Sequence, residues 1–177
     1  MTSGELELIG WRRTVGELYA AVRAEEDPQR GDPLRATGLP YWPYDPGLRF
    51  ELPLLPAEEE LSLSVPTSEG VTPMDRIGCL RLPAPLDAVI DVWWLPQYAG
   101  GLLLPLRDGT AGRSSYGGGR YALDTAKGAD LGGRDRRLVV DLNFLYHPSC
   151  RYNDAWQCPL APPGNTIAAP VTAGERL

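Results

Sequence analysis

Hydrophobic positions follow two different periods along this chain. Near the N-terminus Leu8, Trp11, Val15, Leu18 and Val22 recur at spacings of three and four, which predicts one apolar face of a helix over residues 1–27. Thr2 and Glu5 fit a capping box at its start. Pro28 disfavours helical backbone at Asp27, so the helix is expected to stop there. From residue 49 onward the apolar runs are strand-length, bounded by Pro, Gly or charged turns, at 49–54, 61–65, 76–82, 88–95, 102–106, 120–124 and 138–143. In 88–95, Ile90, Val92 and Trp94 alternate with Val89, Asp91 and Trp93, so both faces are largely apolar and the strand is expected to be central. No second long helical pattern separates these strands. Parallel β-α-β units are therefore disfavoured, and the fold class is α+β, mainly β. One domain over 1–177 is expected, with an N-terminal helix serving as a lid on an antiparallel sheet that closes toward a barrel.

Two stretches escape both periods. Residues 29–46 contain Pro33, Pro40, Pro43 and Pro46 and read as irregular, and within them the Pro- and aromatic-rich run from Gly38 is too stiff to join a central sheet. It is expected to wrap an edge or cover a core opening, with a ligand contact as the alternative. The last third, from Leu138 to Glu175, turns into a tail dense in Asn, Tyr, Cys and Pro.

Composition narrows the function classes. The 18 Pro and 20 Gly, beside five Trp and eight Tyr, indicate many turns around a real core and not disorder. A net charge of −6 argues against nucleic acid or an anionic membrane as partner, since both favour Lys and Arg clusters. Lys127 is the sole lysine. No apolar run resembles a signal peptide or reaches the roughly 20 residues of a membrane span, so a cytoplasmic address is expected. In such a reducing compartment three cysteines do not suggest a disulfide framework.

Candidate chemistry begins with Cys150 and Cys158. Seven intervening residues do not fit a zinc ribbon, leaving buried thiols, a disulfide pinning the tail, or a mixed site with His147 and Asp141 or Glu175. His147 is the one histidine, no Gly-x-Ser-x-Gly elbow presents Ser114 or Ser115, and Cys150 lies too close in sequence to His147 for a normal nucleophile pair. The run Gly117-Gly118-Gly119-Arg120 lacks the Gly-Lys-Ser/Thr of a phosphate loop and reads as a hairpin turn. No cofactor and no metal centre is implied.

The strongest constellation is polar residues on strand faces. Period two puts Asp141 with Asn143, and Arg120 with Asp124, while Arg107 and Asp108 end another strand. Neighbouring strands would line one cavity with these groups, closed by Tyr116, Tyr146 and Asn165. Otherwise they form an Arg–Asp–Asn network that locks the tail to the sheet.

Several motifs carry a family resemblance. GLPYWPYDPGLRF at 38–50 begins it, and Leu-Pro-Leu-Arg-Asp-Gly-Thr, Tyr116-Gly-Gly-Gly-Arg-Tyr and Asp124-Thr-Ala-Lys-Gly-Ala-Asp-Leu-Gly continue it. The tail adds Asp141-Leu-Asn-Phe, Tyr146, Pro148, Cys150, Tyr152, Cys158-Pro-Leu, Pro162-Pro163, Asn165 and Ala173-Gly-Glu, and Trp11 and Arg12 fit as well. In these residues, above all in the region 100–177, the chain resembles the DUF1684 family of bacterial and archaeal proteins. It departs from the family pattern at His147, where Asn is usual, at Gly164, where Glu is usual, and at Thr166, where a basic or large residue is usual. The stretch between Ala24 and Gly38 is also shorter. The family supplies no reaction, so the resemblance implies fold continuity and the location of a site.

Three functions compete. The leading expectation is a domain binding a small anionic metabolite through Arg107, Asp108, Tyr116, Arg120, Asp124, Asp141, Asn143, Tyr146 and Asn165, because a guanidinium fork matches carboxylate or phosphate. The second is a hydrolase-like enzyme with Asp141 or Glu175 as general base, assisted by a divalent metal held by oxygen ligands. The third is a structural or protein-interaction domain with no pocket. Oligomeric state and strand order are not readable from the sequence.

Overall fold

A computed structural model describes residues 3–25, 27–96 and 100–177. Helix α1 (Ser3–Ala24) opens the chain. The Thr2 half of the expected capping box lies outside the described residues. The helix ends a little before Asp27, and the Asp27 carboxylate accepts Gln29 N–H to start a tight 3-10 turn, Pro28–Gly31. Residues expected to be irregular then form a short helix, α2 (Asp32–Thr37). Pro28 opposes continuation of the long helix, yet Pro28 and Pro33 each suit the first turn of a short one, where the missing N–H has no partner to lose.

The strands are antiparallel throughout the two sheets. β2 (Ser62–Thr67), β3 (Gly70–Leu82), β4 (Ala88–Leu95), β5 (Gly101–Leu106) and β6 (Arg120–Ala122) form a five-stranded meander in chain order. β1 (Arg49–Pro53), β8 (Arg137–Asp141) and the two-residue β7 (Gly133–Arg134) form a smaller sheet with β8 in its middle. A bridge between Leu55 and Cys79 ties the end of β1 to β3, and one sheet is curled into a half-barrel. β4 is central, as its two apolar faces require.

Those two faces serve separate cores. Ile90, Val92, Leu80, Leu82, Leu104 and Leu106 belong to one cluster, with Val140, Leu142 and Leu145 from the smaller sheet and the tail. Trp93, Leu103, Met74 and Tyr121 belong to a second, with Leu8, Val15, Tyr19 and Val22 of α1 and with Phe144, Tyr146 and Tyr152 of the tail. Alternation along β5 and β6 divides neighbouring residues between the clusters, as period two demands. A register shift between Arg76 and Gly78 lies opposite Val92 and Trp93, where adjacent residues of β4 are both fully buried.

The helix is a lid on more than the sheet. Trp11 Nε1 donates to Lys127 O at 2.8 Å, Arg12 Nη2 to Asn143 O at 3.2 Å, and Tyr19 OH to His147 O at 2.7 Å. Tyr19 stacks on Tyr152 with ring centroids 4.3 Å apart. The apolar face is shifted from the expected one: Leu18 is 39% exposed, and Tyr19 and Ala20 are fully buried in its place. Val15 and Tyr19 are one helical turn apart, so the aromatic completes the stripe.

Leu8 and Leu18 thus separate face from pattern. Leu8→Ala removes a buried side chain and should cost about 2–5 kcal/mol in urea unfolding, while Leu18→Ala should stay within about 1 kcal/mol of the parent.

Candidate functional site

The tail is held by a buried charge pair. Arg120 is fully buried on β6, and its Nη2 donates to Asp108 Oδ2 at 2.8 Å and to Val171 O at 2.8 Å. Its Nη1 reaches Ala173 O at 2.5 Å and Glu175 O at 3.0 Å. Asp108 Oδ1 accepts Val171 N–H at 3.0 Å and Thr110 N–H at 2.9 Å. Burial acts to raise the Asp108 carboxyl, but the charge of Arg120 and the hydrogen bonds from Val171, Arg120 and Thr110 hold it below its ordinary value. Burial lowers Arg120, opposed by Asp108. The guanidinium also lies over the Trp42 ring at 5.0 Å. Gly174 takes φ +73°, and a Cβ there would stand 2.5 Å from Leu145 O, so the chain between the clamped carbonyls needs glycine.

A second network surrounds Glu175. His147 Nδ1 lies 2.8 Å from Glu175 Oε1, and His147 N–H donates to Oε2 at 2.7 Å. Tyr116 N–H donates to His147 Nε2 at 3.1 Å, which assigns the ring proton to Nδ1. Tyr152 OH donates to Oε1 as well, and burial followed by the Glu175 charge raises the Tyr152 hydroxyl. A third network joins Asp141, Asn143 and the Pro-aromatic run. Arg49 Nη1 pairs with Asp141 Oδ2 at 3.0 Å, while Asn143 N–H and Nδ2 both donate to Oδ1. Asn143 also exchanges hydrogen bonds with the backbone of Asp45. The run itself bridges the tail at Tyr41–Glu175, and Trp42 N–H donates to Gly174 O, so it wraps the tail and not a sheet edge.

The single polar cavity expected from strand faces does not form. β8 ends at Asp141, and Leu142–Phe144 is a 3-10 turn capped by that carboxylate, so Asn143 leaves the strand period. β6 ends at Ala122, because Leu123 takes φ +49°, and Asp124 caps the next turn through Ala126 N–H. β8 neighbours β1 and not β6, which puts Asp141 opposite Arg49 and gives Arg120 to Asp108. Asp124 instead accepts Tyr146 OH. Arg107 is exposed and donates from Nε to Gly117 O at 3.0 Å, beside the turn formed by the Gly run. Asn165 accepts Trp93 Nε1 at 2.8 Å and donates to Asp91 O at 2.7 Å. Asp141 and Glu175, the candidate bases, are both buried with their oxygens engaged. Among the described residues no three His, Cys, Asp or Glu side chains gather in metal-binding geometry.

An open cleft lies elsewhere, between the start of β5, the 3-10 turn Thr125–Lys127 and the tail. Its inner lobe of about 60 Å³ is walled by Leu95, Leu102, Leu103, Tyr121, Asp124 and Trp156, among others. An outer lobe of about 200 Å³ reaches Leu18 and Val22 of α1, and Ala126, Lys127, Ser149 and Trp156 border both lobes. Of the sequence-derived binding set only Asp124 lines this cleft. Trp156 and Gln157 carried no signal in the sequence, since the tail there has no period. Lys127 carried one, as the sole lysine inside a family motif.

Residues 35–176 match the family described as protein of unknown function (DUF1684). The chain belongs to the DUF1684 family. It is also similar to the solution NMR structure of an uncharacterized protein of Haloarcula marismortui, with 28% identity and a TM-score of 0.66 over 98% of this chain and 94% of that one. Comparison with curated proteins gave no match. The acidic residue that the resemblance implies at 164 would meet Asp91 in this chain, because a Cβ on Gly164 would lie 2.3 Å from Asp91 Oδ2 and that side chain would have to move aside. Asp91, itself paired with Arg76 at 3.5 Å, puts a carboxylate at that place.

The clamp has a signed pH dependence. A depressed folded-state carboxyl stabilises fully above the unfolded value of about 4 and loses that contribution as pH falls through the lower folded value. Asp108→Asn should therefore cost about 3–5 kcal/mol near neutral pH, and urea unfolding below pH of about 4 should show the gap closing. His147→Ala removes the Nδ1 donor to buried Glu175 while the residue 147 N–H and Tyr152 OH remain, and should cost roughly 1–3 kcal/mol. His147→Asn, which restores a donor, should recover part of it in the same assay.

Proposed function

We propose that this DUF1684 domain is a cytoplasmic binder of a small anionic metabolite, held in the cleft between β5, the Thr125–Lys127 turn and the tail. The observation that carries this reading is the composition of the cleft: Leu95, Leu102 and Trp156 line it together with the half-buried Lys127. Small-molecule sites combine mostly apolar walls with a few placed polar groups, and a lysine ammonium is a point charge suited to carboxylate or phosphate. Lys127 Nζ lies 5.9 Å from the Tyr146 ring centroid, and its backbone carbonyl accepts Trp11 Nε1, so the two ends of the residue are both held. The arginine-based pocket read from the sequence is replaced, since both terminal nitrogens of Arg120 already donate to Asp108 and the tail carbonyls and its Nε is buried.

A thermal-shift screen of carboxylate- and phosphate-bearing metabolites tests this. A ligand at about 100 times its Kd should add roughly 2.7 kcal/mol to stability and raise Tm. The shift should vanish in Lys127→Ala and persist in Arg107→Ala. A shift lost in Arg107→Ala instead would move the site to the Gly-rich turn.

A further inference from the structure

Two sulfurs meet at the wall of the cleft. Cys150 N–H donates to Cys158 Sγ at 3.4 Å, and Tyr116 OH lies 3.9 Å from Cys150 Sγ. Both are free and half-buried, and Cys158 lines the cleft itself. The chain between them is anchored, not loose. Asn153 Nδ2 donates to Val22 O at 3.1 Å, Trp156 Nε1 to Glu25 Oε2 at 2.8 Å, and Tyr121 OH to Pro159 O. Two thiols on fixed backbone, with the amide of one hydrogen-bonded to the sulfur of the other and that sulfur lining a cleft, form a nucleophile and a resolving partner.

We propose that Cys158 and Cys150 are a thiol–disulfide exchange site for small disulfides. The Cys158 thiolate attacks one sulfur of the small disulfide, breaking its S–S bond, forming a mixed disulfide on Cys158 and releasing the first half as a thiolate. Cys150 then loses its proton and attacks Cys158 Sγ, forming the Cys150–Cys158 bond and expelling the second half. Two protein thiols are oxidised, the small disulfide is reduced to two thiols, and these take up the two protons. The reverse sequence runs with a small thiol as reductant.

The division of labour follows from the surroundings. The Cys150 S–H bond pulls Cys158 down to about 7 against the effect of burial, helped by Cys150 N–H, Lys127 and Ser149 N–H. The same hydrogen bond, with burial, pushes Cys150 up. Asp124, also in the cleft, already accepts Tyr146 OH and Ala126 N–H. Tyr116 and Tyr121 are both raised, chiefly by burial, and remain protonated donors beside the sulfurs.

The test uses the full chain carrying Cys79→Ser, which removes the third thiol, on β3. Incubated folded with oxidised glutathione, it should lose two hydrogens by intact mass and hold no adduct. Adding Cys150→Ser should trap one glutathione on Cys158, and adding Cys158→Ser should react about tenfold more slowly. An adduct that persists without ring closure, or equal rates at the two cysteines, would overturn the proposal. A readout without variants at either position is iodoacetamide labelling with peptide mapping. Cys158 should be labelled ahead of Cys150, with a rate rising through pH of about 7; labelling of Cys150 first would contradict the assignment. Glutathione exchange is read by mass and metabolite binding by Tm, so either reading can fail while the other stands.

Discussion

Arg120 and Asp108 are a fully buried ion pair, and the C-terminal tail is built around them. Removing a guanidinium and a carboxylate from water costs several kcal/mol each, and their mutual attraction offsets this only with good geometry and further hydrogen bonds, which here reach every polar atom of the two side chains except Arg120 Nε. Here the tail supplies most of the missing partners. Carbonyls of Val171, Ala173 and Glu175 and the amide of Val171 surround the pair, so the tail without the pair loses its anchor, and the pair without the tail is a buried charge cluster lacking hydrogen bonds. Each makes the other affordable in free energy.

The other polar networks follow from that docking. With residues 171–175 fixed, Glu175 is delivered under His147 and Tyr152, and Gly174 accepts Trp42 of the Pro-aromatic run. The run in turn reaches Asn143 through Asp45, and α1 closes over the assembly through Trp11, Arg12 and Tyr19. Two apolar clusters, one on each side of the meander, supply the non-directional part of the stability. The polar networks select the one arrangement in which an irregular tail leaves few buried groups without partners.

Much of this was legible in the chain. Strand-length apolar runs bounded by turn residues located β4, β5 and β8, each of which buries consecutive residues, and period 3.6 located α1. The polar residues that matter were also named, and one of the two readings offered for them, a network that locks the tail, describes the geometry of Arg120, Asp108, Asp141 and Asn143. Their pairing was not legible. Strand order is set by sheet closure over long sequence separations, so nothing local distinguishes Asp108 from Asp141 as the partner of Arg120. Positive φ at Leu123 and the 3-10 turn after Asp141 end the face sharing within three residues of Arg120 and one of Asp141. The cleft escaped for a related reason: it is made by a turn, a strand end and an aperiodic tail, and pattern analysis has no signal for a space between them. Its floor carries Cys158, whose contact with Cys150 depends on a loop held by α1.

Native-state hydrogen exchange would test the central dependence most directly. The amides of Val171 and Glu175 should exchange only through global opening in the parent chain, with protection equal to that of β3 and β4. In Arg120→Met the same amides should exchange by local opening while the strands stay protected. Rapid exchange of the tail in the parent, or equal loss of protection in tail and sheet on replacing Arg120, would contradict the account.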